Sequence, residues 1–475
     1  MNEIQNFRQT SPMKARQIVK NRAGLIARGD RLARRPALAV LEATLDALDC
    51  CRIIQKNLVI AGDMMTFGSS RWDLSKTRRI YVVGGGKAAN SMARAIEVIL
   101  ADRITAGVVA VKNLEPSDRL QRIELIAAGH PLPNADSVQA SQRMLQLVER
   151  ATSDDLFIGL ISGGSSALMA FPLPGISLED EIACTRELLA SGARILEINS
   201  VRRHISAVNG GRLAQAVDEK GALMINFIVS DGVGNAPPTD PLEPARFFGT
   251  PVAPDKTTFA DARNVLAKYK LCSKIPPSIV EFINQAGIHQ ETPKTFSGRI
   301  QQFVIQKVAD AGAAALHAAE SLGINATILT TLLQGESREA GTFLACVAKE
   351  IAAYHRPIKP PCLLIAGGET TTTIDGHSGL GGPSQELALG FALEIAGQEG
   401  ICLAAVDTDG TDGPTQAAGG IVDGLTAERA RINGIDIYRH LQLHESLKVF
   451  EALGDEIITG NTGTNVCDLN LVSIL

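Results

Sequence analysis

Aromatic residues are scarce in this chain: Phe, Trp and Tyr make up 4% of its 475 residues, with a single Trp. Proteins that bind single-stranded nucleic acid stack bases on several exposed rings, so the scarcity argues against that class of partner. Neither sign of charge dominates. A net charge of −5 over this length gives no bulk attraction to nucleic acid or to an anionic membrane. No stretch reaches the roughly 18 apolar residues of a membrane span, and the opening MNEIQNFRQTSPMKARQIVKNRAG has no apolar core of a secretory signal. The eight cysteines, at 50, 51, 184, 272, 346, 362, 402 and 467, form no CxxC pair and mostly have apolar neighbours. They read as free thiols in a reducing compartment, so a cytoplasmic protein that works on small molecules is expected.

What is present is an ordinary soluble composition, 45% hydrophobic and 20% charged, in a chain too long for one core. Residues 1–75 look helical and basic, with 37–55 carrying apolar residues at helical spacing. Then RRIYVVGGGKAANSMARAIEVIL (78–100) reads as strand, glycine turn and amphipathic helix. Gly84, Gly85 and Gly86 allow close backbone approach, and the helix start offers amides and a positive dipole end to an anion. Lys87 sits at that start, where a cation opposes the dipole, so a bound phosphate or carboxylate is its natural partner. The spacing Gly84-x-Gly86-x-x-Ala89 also meets a permissive dinucleotide fingerprint. The next strand, 107–111, is however followed by Lys112 and Asn113 where a ribose-binding acid belongs.

A second unit of the same design follows: strand 156–161, the turn Ser162-Gly163-Gly164-Ser165-Ser166, and a helix. Two such units predict a doubly wound, mostly parallel sheet. The serines lack the G-x-S-x-G setting of a nucleophile, so anion binding is preferred. In EINSVRRHISAVNGGRL (197–213), Arg202, Arg203 and His204 cannot share one helical face, and a guanidinium fork there suits a carboxylate or phosphate. A strand at 223–229 delivers Asp231 to a glycine-flanked end, suited to holding a metal, accepting a proton or capping the turn. The proline-rich segment 236–254 predicts a lid or domain-edge loop. Two α/β domains are therefore expected, 1–285 with a helical N-terminal layer and 286–475, around an interdomain cleft. In the second, runs 363–366 and 402–406 read as parallel strands joined by a helix at 385–396. Both would send polar loops to one sheet edge, and the later loop places Asp407, Asp409 and Asp412 within six residues. Such crowding needs a cation or a polar substrate to offset it, unless the loop is a turn held by its own Asp and Thr side chains.

Taken together, anion-cradling turns, a lysine, arginines and acid-rich strand ends are the parts of phosphoryl transfer. The stretches VVGGGKAANSMA, GLISGGSSALM, EINSVRRHISAVNGGRLA, AGGETTTTIDGHSGLGGPSQELALGFA, DTDGTDGPTQAAGGIVDG and ITGNTGTNVCDL resemble, in order and spacing, those of the glycerate 2-kinase family, sometimes labelled hydroxypyruvate reductase. The resemblance runs from about residue 15 to the C-terminus. It implies phosphorylation of D-glycerate at C2 to 2-phosphoglycerate, with ATP and Mg²⁺, in a cleft between two α/β domains. It also implies Lys87, on the family's glycine–lysine turn, as a catalytic cation, and the chemistry of the residues adds Asp231 and Arg203 as catalytic candidates. Phosphate and nucleotide would be bound by Gly85, Gly86, Ser162, Gly163, Gly164, Ser165, Gly368, Glu369 and Thr370. Arg202, His204, Asn209, Asp409 and Asp412 would bind substrate, and Asp231 and Asp407 metal. A homodimer is left open, as are another sugar acid as acceptor, a nicotinamide-dependent reductase and a non-kinase ligand binder. Three departures stand out: Pro383 where the family has arginine, a rewritten segment from Asn235 to Pro251 with Arg246 as a substitute cation, and Ser165 in place of a third glycine.

Overall fold

Strands buried on both faces read as unbroken apolar runs, as the two central ones do among the six strands that form one parallel sheet in the computed structural model, which describes residues 17–116, 118–233, 251–374, 376 and 378–475. They are β1 (Ile80–Gly85), β2 (Ile104–Val111), β3 (Ile123–Ala127), β4 (Leu156–Ile161), β5 (Leu223–Val229) and β6 (Ile300–Gln306). Their spatial order is β3-β2-β1-β4-β5-β6, with every neighbouring pair parallel. Every residue of β1 and β4 is buried. The helix Ala89–Leu100 covers one face through Met92 and Ile96, and helices Ala135–Glu149 and Arg212–Glu219 cover the other. The chain winds outward from β1 in one direction and then returns to add β4 on the other side. The loops after β1 and β4 therefore flank the switch point, where ligands of such sheets bind.

The second sheet contains β7 (Ala326–Leu333), β8 (Cys362–Gly368), β9 (Ile401–Asp407), β10 (Gly419–Asp423), β11 (Glu456–Ile457) and β12 (Asp468–Ile474), in the order β7-β8-β12-β9-β10-β11. Only β7 and β8 pair in parallel. β8 and β9 run the same way, as their sequences predict, without being neighbours. The C-terminal strand β12, buried along its whole length, inserts antiparallel between them. The expectation of one shared edge survives. Asp468, at the start of β12, lies opposite both Gly368 and Asp407, the last residues of β8 and β9.

Three further features differ from the sequence expectation. Residues 58–73 are a three-stranded antiparallel meander rather than helix. Its registers leave two-residue turns at Gly62-Asp63 and Gly68-Ser69, where glycine at positive φ supplies a tight hairpin. Strand β6, placed by sequence in the second domain, completes the first sheet by pairing with β5. The helix Arg31–Ala47, assigned to the first domain, lays Ala37, Leu38 and Leu41 against the second sheet. The segment 235–250, including Arg246, lies outside the described residues. Among the described residues, no helix is long and apolar enough to cross a membrane.

Helix Arg31–Ala47 is tied down by a buried ion network. Arg34 is fully buried; its Nε bonds Asp423, and its Nη1 and Nη2 meet the two Asp455 oxygens at 2.7 and 3.0 Å. Asp455 also accepts from Arg429 at 2.6 Å. Removing one partner of a buried pair strands the other charges, at a cost of about 3–5 kcal/mol. Arg34→Ala is therefore expected to lose stability of about that size in urea unfolding; a loss below about 1 kcal/mol would contradict this account.

Candidate active site

At the switch point the two glycine turns are stitched to each other. The Lys87 amide donates to the Gly163 carbonyl at 2.9 Å, the Ala88 amide to Ser162 Oγ at 3.0 Å, and the Gly86 amide to the Ala110 carbonyl at 3.1 Å. Glycine is required at both turns by contact. A Cβ on Gly86 would meet Ser162 Oγ at 2.1 Å, and one on Gly163 would meet Asp231 Oδ2 at 1.7 Å and Asn465 Nδ2 at 2.2 Å. The amides of Gly86, Lys87 and Ala88 are thus consumed by protein, contrary to the expectation of a free anion cradle at the first turn. At the second turn the amides of Gly163 and Gly164 have no hydrogen-bond partner among the described residues. The strand order is one that dinucleotide-binding sheets use, yet the first turn has no open amides for a pyrophosphate.

Lys87 reaches across the cleft to the second sheet. Its Nζ lies 2.7 Å from Asp409 Oδ2 and 3.7 Å from Asp407 Oδ2. Burial works against its charge, but the two carboxylates outweigh it and hold its pKa well above the usual lysine value. Lys112, at the end of β2, bonds Thr411 Oγ1 and approaches Asp409 to 3.9 Å. Burial, and Lys87 beside it, lower the Lys112 pKa. His130 borders the same space, its ring 3.0 Å from where a Gly164 Cβ would stand. Burial and the two lysines pull it down to about 3, so its imidazole is neutral at physiological pH.

The carboxylates around this centre are crowded. Asp407 is pushed up to about 6 by burial and by Asp409. Asp409 is held low because Lys87 and Lys112 outweigh its burial. Burial also raises Asp231, against the pull of Lys87, and raises Asp468, reinforced by Asp407 and Asp412. Glu369 is raised to about 7 by desolvation and by Asp231 and Asp407, although its side chain keeps contact with water, which screens the effect. Thr370 holds Asp468 through its amide at 3.2 Å.

Other residues expected at the site are engaged elsewhere. Both oxygens of Asp412 cap the helix Pro383–Glu394, accepting from the Ser384 amide at 3.1 Å and the Gln385 amide at 2.8 Å. Pro383 occupies the first helical position, where a missing N–H costs nothing. Arg203 pairs with Asp255 at 3.1 Å rather than with the carboxylates of the centre. His204 is fully buried, its Nδ1 bonded to the Ser200 carbonyl at 2.6 Å and its ring edge-on to Phe259, out of reach of a ligand in the cleft. Arg202 faces Glu181 and Cys184, with its charge felt at His130. Asn209 braces the second turn through the Ser166 carbonyl at 3.3 Å. Sequence reasoning missed Lys112 and Asp468 as members of the centre. Lys112 follows a predicted strand, the signal that would have found it; Asp468 is brought in only by the insertion of β12.

The chain matches a domain of unknown function (DUF4147) over residues 36–284 and the MOFRL family over residues 362–468. A glycerate 2-kinase of Pyrococcus horikoshii is 40% identical over 435 residues, covering 91% of this chain and 95% of the relative. The chain belongs to the glycerate 2-kinase family. A D-glycerate 2-kinase of Thermotoga maritima is 42% identical over 393 residues, 82% of this chain and 89% of that one. The crystal structure of a glycerate kinase from Thermotoga maritima superimposes with a TM-score of 0.74 at 36% identity, covering 93% of this chain and 99% of that one. The fold is accordingly the two-domain α/β architecture of glycerate 2-kinases, and the chain is a phosphotransferase with an alcohol acceptor.

The raised Asp407 makes a signed prediction. An unfolded aspartate titrates near about 4, so between that value and about 6 the native state holds the extra proton. The stability this contributes is fully present below the unfolded value and is lost as pH rises through about 6. Asp407→Asn cannot lose it. The stability of Asp407→Asn relative to wild type should therefore grow between pH 4.5 and pH 7 in ligand-free urea melts, and a difference independent of pH would refute the assignment.

Proposed function

We propose that the protein transfers the terminal phosphoryl group of ATP, with Mg²⁺, to the C2 hydroxyl of D-glycerate, giving 2-phosphoglycerate. The observation that carries this reading is the arrangement at the switch point. A cross-cleft ammonium, Lys87, lies among carboxylates of the facing sheet and beside a turn whose Gly163 and Gly164 amides have no partner among the described residues. Phosphoryl transfer is mainly positioning and charge stabilisation, and these groups supply both. Relatives named glycerate 2-kinase, at 40% and 42% identity, support the acceptor.

Each group then has a task. The Gly163 and Gly164 amides and the Ser165 hydroxyl hold phosphate oxygens, and Lys87 follows the charge that develops on the transferred group. Asp231, whose pKa burial raises, accepts the proton of the acceptor hydroxyl. The donor set at the centre is carboxylate oxygen throughout, which suits a hard cation, and the raised Asp407, Asp231 and Asp468 mark buried negative charge in excess of what Lys87 offsets. Among the described residues no three His, Cys, Asp or Glu converge to hold an ion unaided. That fits Mg²⁺, which takes one or two carboxylates and completes its shell with phosphates and water. Asp231 and Asp407 would hold it, and it would supply neutralisation of phosphate charge. Pro383 contributes no cation, so among the described residues charge stabilisation falls to Lys87.

Purified protein with Mg-ATP and D-glycerate should form ADP and 2-phosphoglycerate, with lower turnover on C4 and C5 hydroxy acids. No ADP from any acid of such a panel would sink the reading. Lys87→Ala should lower kcat by at least about a hundredfold with an unchanged circular-dichroism spectrum; residual activity near wild type would remove Lys87 from the mechanism.

A further inference from the structure

Lys112 is the cation at this centre to which the function above gives no task. It stands just past β2, the strand beside β1. Its ammonium has three donors, and among the described residues the one hydrogen bond it makes is to a neutral hydroxyl, Thr411 Oγ1. Asp409 stays at 3.9 Å, because its Oδ2 is already taken by Lys87 at 2.7 Å. Two lysines of one sheet thus compete for one carboxylate of the other, and Lys112 is the one left with donors to spare. The side chain is about one-fifth exposed, open to the cleft.

Position adds a second argument. Lys112, Lys87 and the Gly163 and Gly164 amides, which have no partner among the described residues, follow β2, β1 and β4, three consecutive strands of the sheet. Neighbouring strands are about 4.8 Å apart, so the row of donors is roughly 10 Å long. A single phosphate is too short to touch both ends. We propose that Lys112 is a phosphate-binding residue, and that the polyphosphate chain of the nucleotide lies along the carboxyl edge of β4, β1 and β2 with one end at Lys112. The proposal rests on the kinase reading and deepens it by assigning the direction of the phosphate chain and its second cation.

The test is calorimetric titration of ATP, ADP and AMP, each with Mg²⁺, into wild type, Lys112→Met and Lys112→Arg, alongside steady-state kinetics and melting temperatures. Lys112→Met keeps the aliphatic stem and removes the charge. Its affinity for ATP should fall by roughly ten- to a hundredfold, the range of a charge-assisted hydrogen bond, with AMP affinity within about twofold of wild type and an unchanged Tm. Lys112→Arg should recover most of the loss. Unchanged ATP affinity in Lys112→Met, an equal loss for AMP and ATP, or an effect confined to the KM for glycerate would each overturn the proposal. Wild type that binds ATP but transfers nothing to any acid refutes the kinase reading alone. Wild type that binds no nucleotide refutes both.

Discussion

An ammonium group is buried without great cost only where carboxylates accompany it, and at Lys87 those carboxylates belong to the opposite sheet. This single pairing requires the carboxyl edges of the two sheets to face each other at close range. The rest of the arrangement follows from it. The first turn must present Lys87 while its own amides are satisfied, which the second turn does through Gly163 O and Ser162 Oγ. The second turn must lie close beneath Asp231, which only a glycine at 163 permits. On the other side, Asp407 and Asp468 are opposed across the β9–β12 ladder, so the backbone holds the two residues side by side.

Such a centre is held together by its surroundings rather than by its own attraction, since buried ion pairs seldom repay their desolvation. Helix Arg31–Ala47 supplies part of that support. Through Arg34 it joins Asp423, at the end of β10, to Asp455, just before β11, and so braces the sheet whose edge carries the acids. The following helix Cys50–Asn57 packs on the opposite sheet, against the helix that begins after Lys87. The N-terminal helices are therefore a strap between the halves, and their basic composition reflects internal ion pairs as well as solvent contact.

Much of this was legible in the sequence because it is local. Strand, glycine turn and helix around Lys87, and again around Ser162, follow from apolar runs and turn chemistry within short windows. The acid-rich end of β9 was equally plain. What the sequence hid depends on pairing between distant segments. The insertion of β12 between β8 and β9, the return of β6 to the first sheet, and the commitment of Asp412 to the helix at Pro383 leave no periodic signal. The same holds for Arg203 and His204. Their basic run looks like an anion site, but the helix directs one to Asp255 and buries the other against Phe259. Residues 58–73 hide two glycine hairpins beside strongly helical neighbours, so their strands leave no clear signal in the sequence.

The charge balance at the cleft constrains what can enter it. Asp409 is ion-paired with Lys87, and Lys112 stands nearby. A phosphate drawing Lys87 toward itself takes that partner away and leaves Asp407 and Asp409 facing each other in a setting that already lifts Asp407 to about 6. An anion arriving alone would thus gain one ammonium and expose two carboxylates. An anion that brings its own cation avoids this, because the cation offsets the carboxylates as the phosphate takes the lysine. Under the proposed reading, the pairing of Lys87 with Asp407 and Asp409 would therefore favour a metal–phosphate complex over a bare phosphate, through the same three side chains that bring the two sheets together.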